Sequence, residues 1–185
     1  MRKLIASVLT VMMILAIAGC GKTGIESAGN SSDVEVYDNG DGTKYYEGRM
    51  GSTMATAWFD FTVNDAYITD EFDGYTPSEG NVFVVVDMTL TNTFNESVDM
   101  YTYDFQLQWG DDADDAFEFP IESNEDLIDG QFNGDYTLKI KETKQGYYIF
   151  EAPEGNKDFS VSFLEYFDDD SEGNLYFVYF TADEK

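Results

Sequence analysis

The sequence predicts an all-β fold, an antiparallel sandwich of about seven strands. Three observations carry that reading. Beyond Met50, apolar residues recur with a period of two, and helix-period patterning is nearly absent. Clusters of Gly, Asn and Asp separate the apolar runs. The third is composition: 37 acidic against 10 basic side chains give the 185 residues a formal charge of −27, yet 43% of them are hydrophobic and 16% aromatic. Disordered acidic tails lack aromatics, so this is a folded acidic domain, and the length fits one domain with a short appendage. There is no histidine and one cysteine, which removes histidine-based catalysis, His/Cys metal sites and any internal disulfide. The acidic excess also opposes nucleic acid, because every phosphate would meet like charge.

At the N-terminus, Arg2 and Lys3 precede an uncharged run from Leu4 to Ala18. A spanning helix needs about 20 apolar residues, so this 15-residue run has the length of a signal peptide. It ends in Leu15-Ala16-Ile17-Ala18-Gly19-Cys20. Small residues ahead of the lone cysteine resemble the lipobox of bacterial lipoproteins. The resemblance implies cleavage after Gly19, with residues 1–19 removed, and acylation of Cys20 as the membrane attachment. That cleavage leaves 166 residues and takes the charge to −29. Residues 20–52 read as a tether carrying a small hairpin, and 53–185 as the sandwich. Gly21 to Asp33 holds one Ile among small and polar residues, and a coil of that length spans about 20 Å.

Val34–Tyr37 and Lys44–Tyr46 alternate weakly around Asp38-Asn39-Gly40-Asp41-Gly42-Thr43, where Asn-Gly and Asp-Gly supply positive φ cheaply. An EF-hand alignment fails there, since it puts Tyr37 and Gly48 at the end positions of the loop. Next, Ala57, Phe59, Phe61 and Val63 line one strand face. Val82, Val84, Val86, Met88 and Leu90 line the next strand, Asn81–Asn92, whose other face runs from Phe83 and Val85 to Asp87, Thr89 and Thr91. That strand starts fully buried and finishes facing water. Tyr103, Phe105, Leu107 and Trp109 alternate, as do Tyr136, Leu138 and Ile140. Tyr147–Phe150 is a short run stopped by Pro153, and Phe159–Phe167 and Leu175–Phe180 flank an acidic turn. Only Ile121–Gly134 lacks alternation, with room for a helical turn around Asn124–Ile128. Phe59, Phe61, Phe105 and Phe150 are the expected core, with Trp58 and Trp109 at its edge.

The order of these strands is similar to a family of bacterial immunoglobulin-like domains of unknown function found in Gram-positive lipoproteins. The residues that carry the resemblance are Phe61-Thr62-Val63, the valine-rich run Asn81–Asn92, Phe105-Gln106-Leu107, and Gly146–Pro153, a Gly-led strand ending in Pro. Members of that family usually show Pro-Gly before the Gly-led strand; here Lys141-Glu142-Thr143-Lys144 stands instead. The resemblance implies an immunoglobulin-like sandwich on a surface lipoprotein, and no chemistry.

Between Arg49 and Lys139 lie 89 residues with 20 carboxylates and no Lys or Arg. The densest cluster, Asp111, Asp112, Asp114 and Asp115, offers hard oxygen ligands suited to Ca²⁺. Its competing reading is a solvated acidic loop that keeps sheet edges apart. Lys139 and Lys141, read as one face of a strand with Lys144 beyond, fit a lysine-guarded edge strand or a contact for an anionic ligand. No Gly-x-Ser-x-Gly elbow or phosphate-cradling loop occurs. The expectation is a non-enzymatic binding or accessory module, without nucleic acid, lipid-anchored to the outer face of the bacterial cytoplasmic membrane and meeting a protein or envelope component. A carbohydrate-binding module and a calcium-stabilised acidic spacer are the alternatives.

Overall fold

The structure, a computed structural model, describes residues 29–110, 116–122, 130–132 and 134–185. Its strands are β1 (Glu35–Asp38), β2 (Lys44–Arg49), β3 (Thr53–Ala55), β4 (Phe59–Thr69), β5 (Asn81–Asn92), β6 (Val98–Met100), β7 (Phe105–Trp109), β8 (Phe117–Glu118), β9 (Tyr136–Leu138), β10 (Thr143–Pro153), β11 (Asp158–Tyr166), β12 (Glu172–Thr181) and β13 (Asp183–Glu184). One turn of 3₁₀ helix, Thr102–Asp104, leads into β7. A six-stranded sheet runs β1-β2-β12-β11-β7-β8, and a five-stranded sheet contains β10-β5-β4-β13 with β3 paired to β4. A separate ribbon joins β6 to β9.

The two sheets face each other because alternation puts their large side chains inward. Phe59, Phe61, Phe105 and Phe150, the expected core aromatics, are 0–1% exposed. Phe105 from one sheet meets Phe61 of the other edge-on at 5.3 Å between ring centres, and Phe59 meets Phe163 likewise at 4.9 Å. Each such side chain contributes about 1.5–3 kcal/mol by leaving water. Trp58 and Trp109 pack against this core half-buried. β5 follows its expected pattern: Val82, Val84, Val86, Met88 and Leu90 face inward, and Phe83 and Val85 join Ile149 in a small cluster on the outer side.

Several elements depart from the sequence reading. The β1–β2 hairpin forms, and β2 also pairs in parallel with β12, which makes the hairpin the edge of the six-stranded sheet. Just upstream, the chain runs along β3: Ser31 N–H donates to Thr53 O (3.0 Å), Thr53 N–H to Ser31 Oγ (2.8 Å), Ala55 N–H to Asn30 Oδ1 (2.6 Å) and Ser52 Oγ–H to Asp33 Oδ2 (2.6 Å). Ala57 precedes its strand and is exposed. Tyr103 lies in the 3₁₀ turn and not on β7. The strand expected through Ile140 ends at Leu138, and Ile140 is 52% exposed. Lys139 and Lys141 therefore share no strand face. They belong to a turn closed by Glu142 N–H on Lys139 O, with Lys139 N–H bonded to the Glu142 carboxylate. The expected helical turn at Asn124–Ile128 lies outside the described residues.

Candidate functional site

Cys20 and the calcium candidates Asp111, Asp112, Asp114 and Asp115 lie outside the described residues. Among the described residues, no three His, Cys, Asp or Glu side chains gather as a metal would require. The two acidic turns elsewhere spend their carboxylates locally. Asp41 accepts from the hydroxyl and N–H of Thr43, and Asp169 from those of Ser171. These bonds, the hydroxyl's first, hold both carboxyls below the usual range.

What the structure brings together is a corner at the β7–β8 end of the six-stranded sheet. The 3₁₀ turn projects Tyr101 and Tyr103 outward, 39% and 58% exposed. Phe119, just past β8, meets Tyr103 edge-on at 5.2 Å, and Phe117 meets Phe119 edge-on at 5.8 Å. Ile121, 37% exposed, continues the patch. The Tyr103 hydroxyl lies 3.4 Å from the Glu122 carboxylate, and Glu118 caps the N–H of Phe119 at 3.1 Å. β8 forms because Phe117 and Glu118 oppose Gln108 and Leu107, and Pro120 ends the extended run. Residue 121 then crosses to the other sheet, its N–H on Ile149 O at 2.8 Å. Sequence reasoning missed this corner. Its signal was the alternation Phe117-Glu118-Phe119 stopped by Pro120.

Asp104 supports the corner from behind. Its Oδ2 accepts Tyr101 N–H at 2.6 Å, closing the 3₁₀ turn. Desolvation pushes its carboxyl up to about 7, the Tyr101 N–H opposes that, and the negative charge of Asp135 adds to it. Nearby, the hydroxyls of Tyr136 and Tyr148 meet at 3.1 Å, and burial raises both tyrosines far above their ordinary value.

Two facing sheets around one aromatic core define the class: an all-β sandwich. The chain belongs to the family described as Domain of unknown function (DUF4352), whose profile matches residues 49–174. No curated protein matches it. Among solved structures, a predicted lipoprotein (ycdA) from Bacillus subtilis is similar at TM-score 0.53 and 13% identity, over 70% of this chain and 38% of that one. The chain thus spans well under half of that protein's length. The yjhA protein from the same species is similar at TM-score 0.50 and 16% identity, over 71% and 99%. A predicted lipoprotein from Staphylococcus aureus follows at TM-score 0.47 and 13% identity, over 82% and 97%. Likeness at these identities shows the fold alone. Among the described residues, no helix is long and apolar enough to cross a membrane.

Proposed function

We propose that this protein is a lipid-anchored extracytoplasmic binding or accessory module with no enzymatic role, held by acylated Cys20 on the outer face of the bacterial cytoplasmic membrane. The observation that carries the binding role is the aromatic corner: Tyr103, 58% exposed, is linked ring to ring with Phe119 and through it with Phe117, beside exposed Tyr101 and Ile121. Solvent-facing linked aromatics of this kind mark contact surfaces. The anchor is supported by the lone cysteine closing an uncharged 15-residue run and by the lipoprotein among similar folds. Several acyl chains on one cysteine hold firmly, each buried CH₂ contributing about 0.8 kcal/mol.

The test has two arms. Mass spectrometry of cell-derived protein should find residue 20 N-terminal and acylated, and Cys20→Ser should move the protein to the medium. Crosslinking on intact cells should join the protein to a defined envelope component, and titration with millimolar Ca²⁺ should leave that product unchanged. An intact Met1 with a free thiol overturns the anchor. A crosslinked product that disappears with chelator supports instead a calcium-dependent role for Asp111, Asp112, Asp114 and Asp115.

A further inference from the structure

We infer that the corner of Tyr101, Tyr103, Phe117, Phe119 and Ile121, rimmed by Glu118 and Glu122, is a docking surface for an extended lysine- or arginine-bearing segment of another envelope polypeptide. The inference rests on the binding-module reading and gives it a place and a partner chemistry. Elsewhere the molecule shows how its own cations are used. Arg49 sits 5.2 Å from the Tyr179 ring centre, Lys144 5.0 Å from Tyr136 and Lys185 4.1 Å from Tyr67. A cation over an aromatic face is attracted by the ring quadrupole, more so beside a carboxylate. At the corner the rings and carboxylates are present, while the stretch that builds it, from Met50 to Leu138, contains no Lys or Arg. A partner's cationic side chain would place there the cation-over-ring contact that Arg49, Lys144 and Lys185 make elsewhere in this chain.

The other occupants fit less well. An anionic polymer meets Glu118, Glu122 and a formal charge of −27. A purely apolar surface would desolvate both carboxylates without pairing them. Long cationic side chains bring apolar stems for the rings and charged heads for the rim. Opposite charge further speeds encounter, an effect that salt screens.

The test uses the full lipidated protein in neutral detergent and a fluorescein-labelled decapeptide of alternating lysine and phenylalanine, read by anisotropy at physiological salt. Comparators are the glutamate–phenylalanine and lysine–serine decapeptides. Saturable one-site binding of the lysine–phenylalanine peptide is expected, at least tenfold tighter than either comparator. Tyr103→Ser, and the pair Glu118→Gln with Glu122→Gln, should each weaken it at least tenfold. The exposed pair Asp70→Asn with Glu71→Gln, an equal change in charge away from the corner, should weaken it less than twofold. Equal weakening by that control pair would reduce the effect to general acidity and overturn the inference, as would absence of saturable binding. Unchanged melting temperatures show that the variants fold. If cell crosslinking still joins the Tyr103→Ser protein undiminished to its envelope partner, the place is wrong and the binding-module reading survives. If neither the peptide nor any envelope component binds, both fall.

Discussion

Glu165 is a carboxylate 3% exposed in the interior of an acidic protein. Among the described residues its donors are neutral: Ala57 N–H (2.8 Å) and the Tyr176 hydroxyl (2.9 Å) on Oε1, Asn174 N–H (2.9 Å) on Oε2. It therefore ties the chain ahead of β4 to both long strands of the opposite sheet. Glu165→Ala orphans the buried Tyr176 hydroxyl and leaves the part-buried N–H groups of Ala57 and Asn174 to water, so a urea midpoint should report a loss of about 1–3 kcal/mol. Glu165→Gln should lose less. Asp104 gives a pH signature of known sign. Its folded carboxyl titrates near 7, above the ordinary unfolded value of about 3.9, so the folded state binds the proton more tightly. Stability should rise as pH falls from 8 to 5, and Asp104→Asn should flatten that part of the profile in chemical denaturation. Neither residue was legible in the sequence, where each is one carboxylate among 37. The core aromatics were legible because alternation alone sets which way they point.

Strand β4 shows where element-level reading stops. Its alternation is clean through Val63, then Asn64 and Asp65 are both exposed and Ala66 and Ile68 are buried again. A bulge between Val63 and Asp65 shifts the register by one and continues the strand to Thr69. Without the partner strand, that break looks like an end. The β9–β10 turn illustrates the opposite case. Lys141 has φ +60°, a left-handed conformation that glycine takes without strain. Lys141→Gly should stabilise the protein by about 0.5–1 kcal/mol, read as a higher thermal midpoint. Gly146 is a matter of space: a Cβ there would lie 2.6 Å from the backbone oxygen of Gly130 and 3.3 Å from the Phe132 ring. Gly130 and Phe132 bond to Tyr147 and cover the outer edge of β10. Gly146→Ala should cost about 1–3 kcal/mol and increase amide exchange at Tyr147.

At the scale of the whole molecule, a charge of −27 works against compactness. Raising NaCl from 0.1 to 1 M shortens the screening length from about 10 to 3 Å, and the melting temperature should rise by several degrees. A flat or falling profile would mean that the carboxylates are neutralised in some other way. The sandwich itself was legible, since strand period and turn residues are local. Strand order was not. The parallel pairing of β2 with β12 joins Tyr45 to Leu175 across 130 residues, and nothing near either strand announces it.

The hydrogen bonds of Asn30, Ser31 and Asp33 to the β3 segment decide how far the domain strays. With Cys20 acylated as proposed, only nine residues separate the lipid from the folded body. Nine residues reach at most about 30 Å, whatever conformation they take. The folded body would then stay within about 30 Å of the bilayer, and any partner would have to meet it there.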